Sequence, residues 1–450
     1  MRKRAKLHSK TRGGRSLSVE ELLELEHAAH RKTFEKRLRM YRAGWDLIDH
    51  PVGFDLKRDP LLSHNGAHLA LARQTTLVAI VQRLFFGRRM REYYEKESIS
   101  MQPVVMFMAL RMLMSARRTH LSGSHDPQRD AYVALRKELK PACPRLKLPG
   151  VRMYEKWALQ MELPVDVIKG QLSEDWADLV EHGESVALDE KLRHFTGLSP
   201  YSKSVPSKPD AIGLETAQMA VSLEGTADPF VFGLYPLTSS KQTNESVPMT
   251  QIASWALGLL RTSLPLGCPP VVVTDCMYNS AAVRELYFKQ RGHFLMAIRP
   301  NHCGDLDILL GTDVAKRPAT VYARHRPSGL IVCRHWPSDA KSAYKTVTTN
   351  AMVEAHGPIV DPESPPIYKH YALLFNTCDK ANKTMSGMWW PYRTSGHSRR
   401  FSDFALDMGF LNLYTACKYS SVVEPDVRMD RFLEKAAFQL LVWLSSHAKP

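Results

Sequence analysis

The chain has 450 residues, 44% hydrophobic and 24% charged, with a formal net charge of +15 and a pI near 9.4. That length predicts two or three units able to bury a core. The cationic excess favours a polyanionic partner, nucleic acid first, although a merely soluble basic protein has the same balance. Seven cysteines, odd in number and never in CxxC, argue against a disulfide framework and against a structural zinc site. No apolar run reaches the length of a membrane span, and the nearest, PVVMFMALRMLM, contains Arg111. The N-terminus MRKRAKLHSKTRGGR is basic with no apolar core after it. It reads as a nuclear-import or DNA-contacting tail in an intracellular protein, not as a secretory signal.

In chain order, residues 1–54 read as this tail followed by one long helix, with Ser18 as its N-cap and Arg37, Arg39 and Arg42 in its last turns. Residues 55–183 read as a helical region, of a DNA-binding or dimerisation type, from HLALARQTTLVAIVQRLFFGRRMREYYEK through SMQPVVMFMALRMLMSARR, RDAYVALRKELK and VRMYEKWALQM to VDVIKGQLSEDWADLV. Within it RRMREYY mixes cations with aromatics and is either a nucleic-acid face or a solvated helix edge.

The pattern changes near Glu184. SVALDEKL is a short apolar strand ending in Asp189 and Glu190; AIGLETAQMAVSL and PFVFGLYPL are strands separated by the turn EGTAD; TQIASWALGLLRTS has helical spacing. PPVVV is a strand buried on both faces and ends in Asp275; AAVRELYFKQ is a helix stopped by Gly292; HFLMAIRP is another buried strand. Three strands, helix, strand, helix, strand over 184–300 is the order of an RNase H-like α/β core, in which the first and fourth strands are neighbours. Taken alone, Asp275 is more readily a helix N-cap. Residues 301–366, with the hairpin-like VYARHRPSGLIVCRHW, read as an inserted subdomain. The core resumes over 367–450 with IYKHYALLFNT as a strand, an amphipathic helix from about Arg400 and a final helix MDRFLEKAAFQLLVWLSS.

Acids delivered by neighbouring strands have a chemical use. Two carboxylates a few ångströms apart repel one another, and a hard divalent cation such as Mg²⁺ relieves that repulsion. Two such ions can activate a water or a 3′-hydroxyl and stabilise the leaving oxygen of a phosphoryl transfer. A third carboxylate, from a helix packed on the sheet, completes such a cage.

Four stretches in order resemble the transposase domain of piggyBac-type elements. DEKLRHFTGLSPYSKSVPSKPDAIGLE resembles the first-acid block, with Asp189–Glu190, Gly197, Pro206, Lys208–Pro209 and Gly213; TDCMYNS followed by AIRPN resembles the second, with Asp275, Ser280, Arg299 and Asn301. FNTCDKANK resembles the third-acid block and YRTSGHSRRF the basic and aromatic run after it. The resemblance spans roughly Ser185 to the C-terminus. It implies an RNase H-like core, Asp189 and Asp275 as catalytic metal ligands, DNA as partner, a nuclear location, Mg²⁺ as cofactor if the site is active, and leaves homodimerisation open.

The departures bear on activity. Seven residues on from Asn376, and nine back from Tyr392, the third-acid position is Lys383. An ammonium replaces a ligand, offers no lone pair while protonated and repels a cation at close range. Ser386, Cys276 and Glu215 also depart from the family pattern, and no cysteine-rich zinc module is expected. Asp379, four residues before Lys383, would share its face if the stretch is a helix and could also reach from a loop; it or another nearby acid is the candidate substitute for the third acid. The expected function is therefore a piggyBac-derived DNA-binding domain without strand-transfer activity; an active transposase using Asp379 and a protein-interaction scaffold are the alternatives. Lys208, Arg299, Arg399 and Arg400 are candidate phosphate contacts or solvated charges. Trp389 and Trp390 are stacking or packing residues, and His302 beside Cys303 has no partners at ligand spacing.

Overall fold

The computed structural model describes residues 32, 35–36, 39–48, 67–71, 75–117, 127–142, 147–181, 185–194, 199, 201–204, 212–224, 226, 228–238, 248–263, 271–299, 303, 306–310, 320–336, 345–350, 366–386 and 396–447. It divides into two units, Phe54–Ala297 with Pro366–Pro450 and Met1–Gly53 with Ile298–Pro365. The first described strand, β1 (Trp45–Ile48), belongs to the smaller unit. Residues 39–42 are helical; the rest of the long helix expected before them lies largely outside the described residues, as does the basic tail.

In the larger unit a two-stranded pair, β2 (His68–Leu69) and β3 (Val180–Glu181), brackets a run of helices. These are α1 (Leu77–Phe85), α2 (Arg88–Lys96), α3 (Met101–Arg117), α4 (Pro127–Ala142), α5 (Val151–Gln160) and α6 over 165–177, whose middle, Ile168–Leu172, is a π turn. The stretch HLAL…YYEK, read above as helical throughout, is a strand and two helices. Thr76 caps α1 by accepting from the Ala79 N–H at 3.2 Å. The chain then breaks at Gly87, where Asp175 of α6 accepts from the Arg89 and Met90 N–H groups at 3.1 and 2.8 Å and so caps α2 from afar. A Cβ on Gly87 would stand 2.5 Å from that carboxyl group, so the junction has room only for glycine. Arg89 also pairs with Glu174 and Asp178, which gives this part of RRMREYY a structural role.

The sheet that follows comprises β4 (Ser185–His194), the short β5 (Lys203–Ser204), β6 (Ile212–Ser222), β7 (Pro229–Pro236), β8 (Val271–Thr274) and β9 (His293–Ile298). Its five long strands lie in the order β7-β6-β4-β8-β9. Pairing is antiparallel for β7–β6 and β6–β4 and parallel for β4–β8 and β8–β9. Val271, Val272 and Val273 have no exposed surface, as a β-branched run covered on both faces should. Helices α7 (Met249–Ser263) and α8 (Ala281–Lys289) connect β7 to β8 and β8 to β9. Strand β4 does not end at the paired acids. Its parallel ladder with β8 stops at Leu188 and Thr274, but its antiparallel ladder with β6 continues to His194 opposite Gly213. The two backbones close so tightly there that a Cβ on Gly213 would meet the Arg193 carbonyl oxygen at 2.1 Å.

The expected strand IYKHYALLFNT is instead the first half of α10 (Pro366–Ser386), which follows α9 (Leu306–Leu310) of the smaller unit. Ile367, Tyr371, Leu374, Cys378, Ala381 and Met385 recur every three or four residues, and this helical period extends past the window that suggested a strand. Helix α10 packs on β4, β6, β7 and β8; α11 (His397–Tyr419) covers β6 and β7, and α12 (Met429–His447) lies on α3. Arg111, the cation in the most apolar helix, is fully buried in α3 and meets Asp403 at 3.1 Å and Asp407 at 3.8 Å. Asp407 in turn accepts from Arg193 of β4 at 2.5 Å, and Arg193 lies over the Phe404 ring at 5.2 Å. One buried ion network thus ties the helical region, α11 and the first core strand.

In the smaller unit β1 pairs antiparallel with β10 (Thr320–His325), β10 with β11 (Ile331–His335) and β11 with β12 (Lys345–Thr349). Met40, Leu309, Leu310, Ala323 and Val332 form its core, with Trp45 against them. The expected hairpin is present, but the sequence reading did not foresee that the strand before it in the sheet comes from residues 45–48. No single helix among the described residues is long and apolar enough to cross a membrane.

Truncating Asp407 removes a buried carboxylate partner of both Arg111 and Arg193, so Asp407→Ala should lower unfolding stability by roughly 3–5 kcal/mol. Lys289→Ala, which breaks an exposed pair with Glu285, should stay within about 0.5 kcal/mol by chemical denaturation.

Candidate functional site

The parallel ladder fixes the position of the two acids named from the sequence. The register Leu188 to Thr274 makes Asp189 and Asp275 the next residues on adjacent strands. Each is oriented by its own backbone: Asp189 Oδ1 accepts from the Glu190 N–H at 2.9 Å, and Asp275 Oδ1 from the Met277 N–H at 2.7 Å. The second contact closes an Asx turn. The N-cap of α8 is Ser280, which accepts from the Val283 N–H at 3.2 Å, so the helix-cap reading of Asp275 does not hold. Both acids are half-buried.

Further side chains complete the surroundings. Glu190, only 5% exposed, points to the opposite side of β4 from Asp189. Burial pushes its carboxyl up to about 7; the Tyr278 hydroxyl pulls it down, while Asp189, Asp275 and Glu215 add to the rise. Tyr278 is fully buried, and burial together with Glu190, Asp189 and Asp275 holds its phenol well above the ordinary value. Glu215 is paired with Lys203 at 2.6 Å. From α10, Tyr371 stands close enough to Asp275, Cys276 and Asp189 for their charges to reinforce the effect of burial in raising its phenol. Its ring is stacked on Phe375 at 5.1 Å. Reading 366–386 as a helix would have found it, because Tyr371 lies seven residues before Cys378 on one helical face.

Cys378 docks α10 on the sheet. Its thiol donates to the Ala187 and Gln218 carbonyls at 3.7 and 3.6 Å, and Gln218 Nε2 donates back to the Cys378 carbonyl at 3.4 Å. Burial, with Asp189, Asp379 and Glu190 adding to it, keeps the thiol protonated. The inward residues of this half of the helix are Cys378, Ala381, Asn382 and Met385; Asp379 and Lys383 are exposed. Of the four candidate phosphate contacts, Arg299 is exposed and Arg399 half-buried, whereas Lys208 lies outside the described residues. Arg400 is buried at 9% exposure, contrary to a place on a DNA-facing surface: the helical period turns it inward with Phe401 and Phe404. Trp389 and Trp390 lie outside the described residues.

Among the described residues there is no three-carboxylate cage. Asp189 and Asp275 come together, but among the described residues no three His, Cys, Asp or Glu side chains gather at metal-holding spacing. The helix position that the resemblance assigns to the third ligand carries the Lys383 ammonium.

No protein-family model matches the sequence, and no curated protein matches it. Among solved structures the chain is similar to piggyBac transposase, in the cryo-EM structure of its synaptic complex with hairpin DNA. The TM-score is 0.61 over 85% of this chain and 84% of that one, at 14% sequence identity. The protein therefore has a piggyBac-transposase-like fold, a mixed α/β architecture on a large mixed sheet.

Glu190 has a folded pKa above its ordinary 4.5, so its ionisation opposes folding. The folded state holds the extra proton between about pH 4.5 and 7, and stability falls as pH rises through that window. Glu190→Gln should leave the melting temperature nearly unchanged at pH 5 and raise it at pH 8, by a stabilisation on the order of 3 kcal/mol at most.

Proposed function

We propose that this protein is a piggyBac transposase-derived DNA-binding protein, working in the nucleus, whose RNase H-like core has lost strand-transfer chemistry. The strand order β7-β6-β4-β8-β9, antiparallel then parallel, supports the RNase H-like reading. The observation that carries the functional reading is the site itself: two acids set side by side by the β4–β8 ladder, with an exposed lysine at the third position. Two carboxylates can share one hydrated cation, but an in-line displacement of the two-metal kind needs both ions held together. The net charge of +15 supports retained affinity for DNA.

One observation favours an active enzyme as the second reading. Residues 366–386 are helical, so Asp379 does stand one turn before Lys383, and its charge reaches Cys378, as that of Asp189 does.

With a duplex carrying terminal-repeat ends and added Mg²⁺ or Mn²⁺, no cleavage or joining is expected, while duplex binding should weaken steeply with salt as counterions are released. Robust strand transfer that disappears in Asp189→Ala and Asp379→Ala but survives Lys383→Ala would establish the second reading. An absence of duplex binding at low salt would remove the DNA-binding one.

A further inference from the structure

Helix α5 has an outer face that packs on nothing among the described residues. Its inward side is set by Tyr154 and Ala158, both buried, with Tyr154 stacked on Tyr132 of α4 at 4.1 Å and beside Phe107 of α3 at 5.4 Å. Outward stand Arg152, Lys156 and Gln160, all exposed. At spacing i, i+4 and i+8 they form a row along the helix, about 12 Å from end to end at about 1.5 Å per residue. Met153 and Leu159 flank the row, 46% and 60% exposed. Neither Arg152 nor Lys156 has an ion-pair partner among the described residues. The helix's own carboxylate, Glu155, is turned away to Arg129 at 3.4 Å.

An aliphatic pair on a row of cations has to be matched by a partner that is both anionic and locally apolar. We infer that α5 is the helix that reads duplex DNA in its major groove; this rests on the DNA-binding reading above and deepens it. The groove is about 12 Å wide and admits one α-helix. A row of about 12 Å faces roughly three to four base pairs. Arginine and lysine match the acceptors of guanine, glutamine matches adenine, and exposed aliphatic side chains match the thymine methyl group. The three helices α3, α4 and α5 pack on one another, so the reading face stands on a rigid base.

The test is selection from a pool of short random-sequence duplexes, followed by affinity and salt titrations on the selected and the unselected pools, with the full chain. Arg152→Ala with Lys156→Ala should weaken binding to the selected duplexes at least about tenfold and relax the selected sequence at the positions they read. Gln160→Ala should change the selected sequences with little loss on the unselected pool. All three positions are exposed, so melting temperatures should match the unaltered chain, and Lys289→Ala should leave binding unchanged. If the unaltered chain binds but the α5 variants keep its affinity and selected sequences, the assignment of α5 is wrong while the DNA-binding reading stands. If the unaltered chain does not bind duplex at low salt, both fall.

Discussion

The parallel pairing of β4 with β8 is the constraint from which the rest of the site follows. Four consecutive residue pairs, all but one of their members buried, fix a register in which a slip of one residue would move every side chain to the other face. Because the ladder ends one residue before both acids, two like charges emerge together at the carboxyl end of adjacent strands. Each carboxylate takes a backbone N–H from its own turn, and the repulsion between them is set against hydrogen bonds that favour the charged form.

The larger unit treats its charged side chains in three different ways. Arg111, Asp403, Asp407 and Arg193 neutralise one another, and the geometry spans three elements distant in sequence. Burial raises the Glu190 carboxyl to about 7, beside a phenol that is itself buried. Asp379 and Lys383 stand exposed on the outer side of α10. An exposed site on a docked helix accepts either sign of charge without damage to the fold. The docking depends instead on Cys378, five residues before Lys383, and on Gln218 of β6.

Much of this was legible in the sequence because burial left a plain signature. Val271–Val273, the helix after Ser280 and the antiparallel stretch from Ile212 to Pro236 could all be read from period and breakers. Asp189 and Asp275 could be named because apolar runs delivered them. What failed has equally physical causes. Residues 367–377 hold apolar and aromatic side chains densely enough to suit either period within a short window, and only the continuation to Met385 decides for a helix. Long-range capping, as by Asp175 on α2, has no local sequence signal. Arg400 looked like surface because it is charged, yet the helical period that buries Phe401 and Phe404 carries it inward as well.

The smaller unit has a consequence for how this chain can be divided. Its sheet takes an outer strand, Trp45–Ile48, from residues more than two hundred and fifty positions before the hairpin it joins, and Met40 and Trp45 contribute to the same core. The inserted segment is thus topologically dependent on the amino-terminal end. A fragment cut at the obvious borders of the insertion would expose a raw β10 edge and an unfilled hydrophobic floor, and a chain shortened by its first fifty residues would inflict the same wound from the other side.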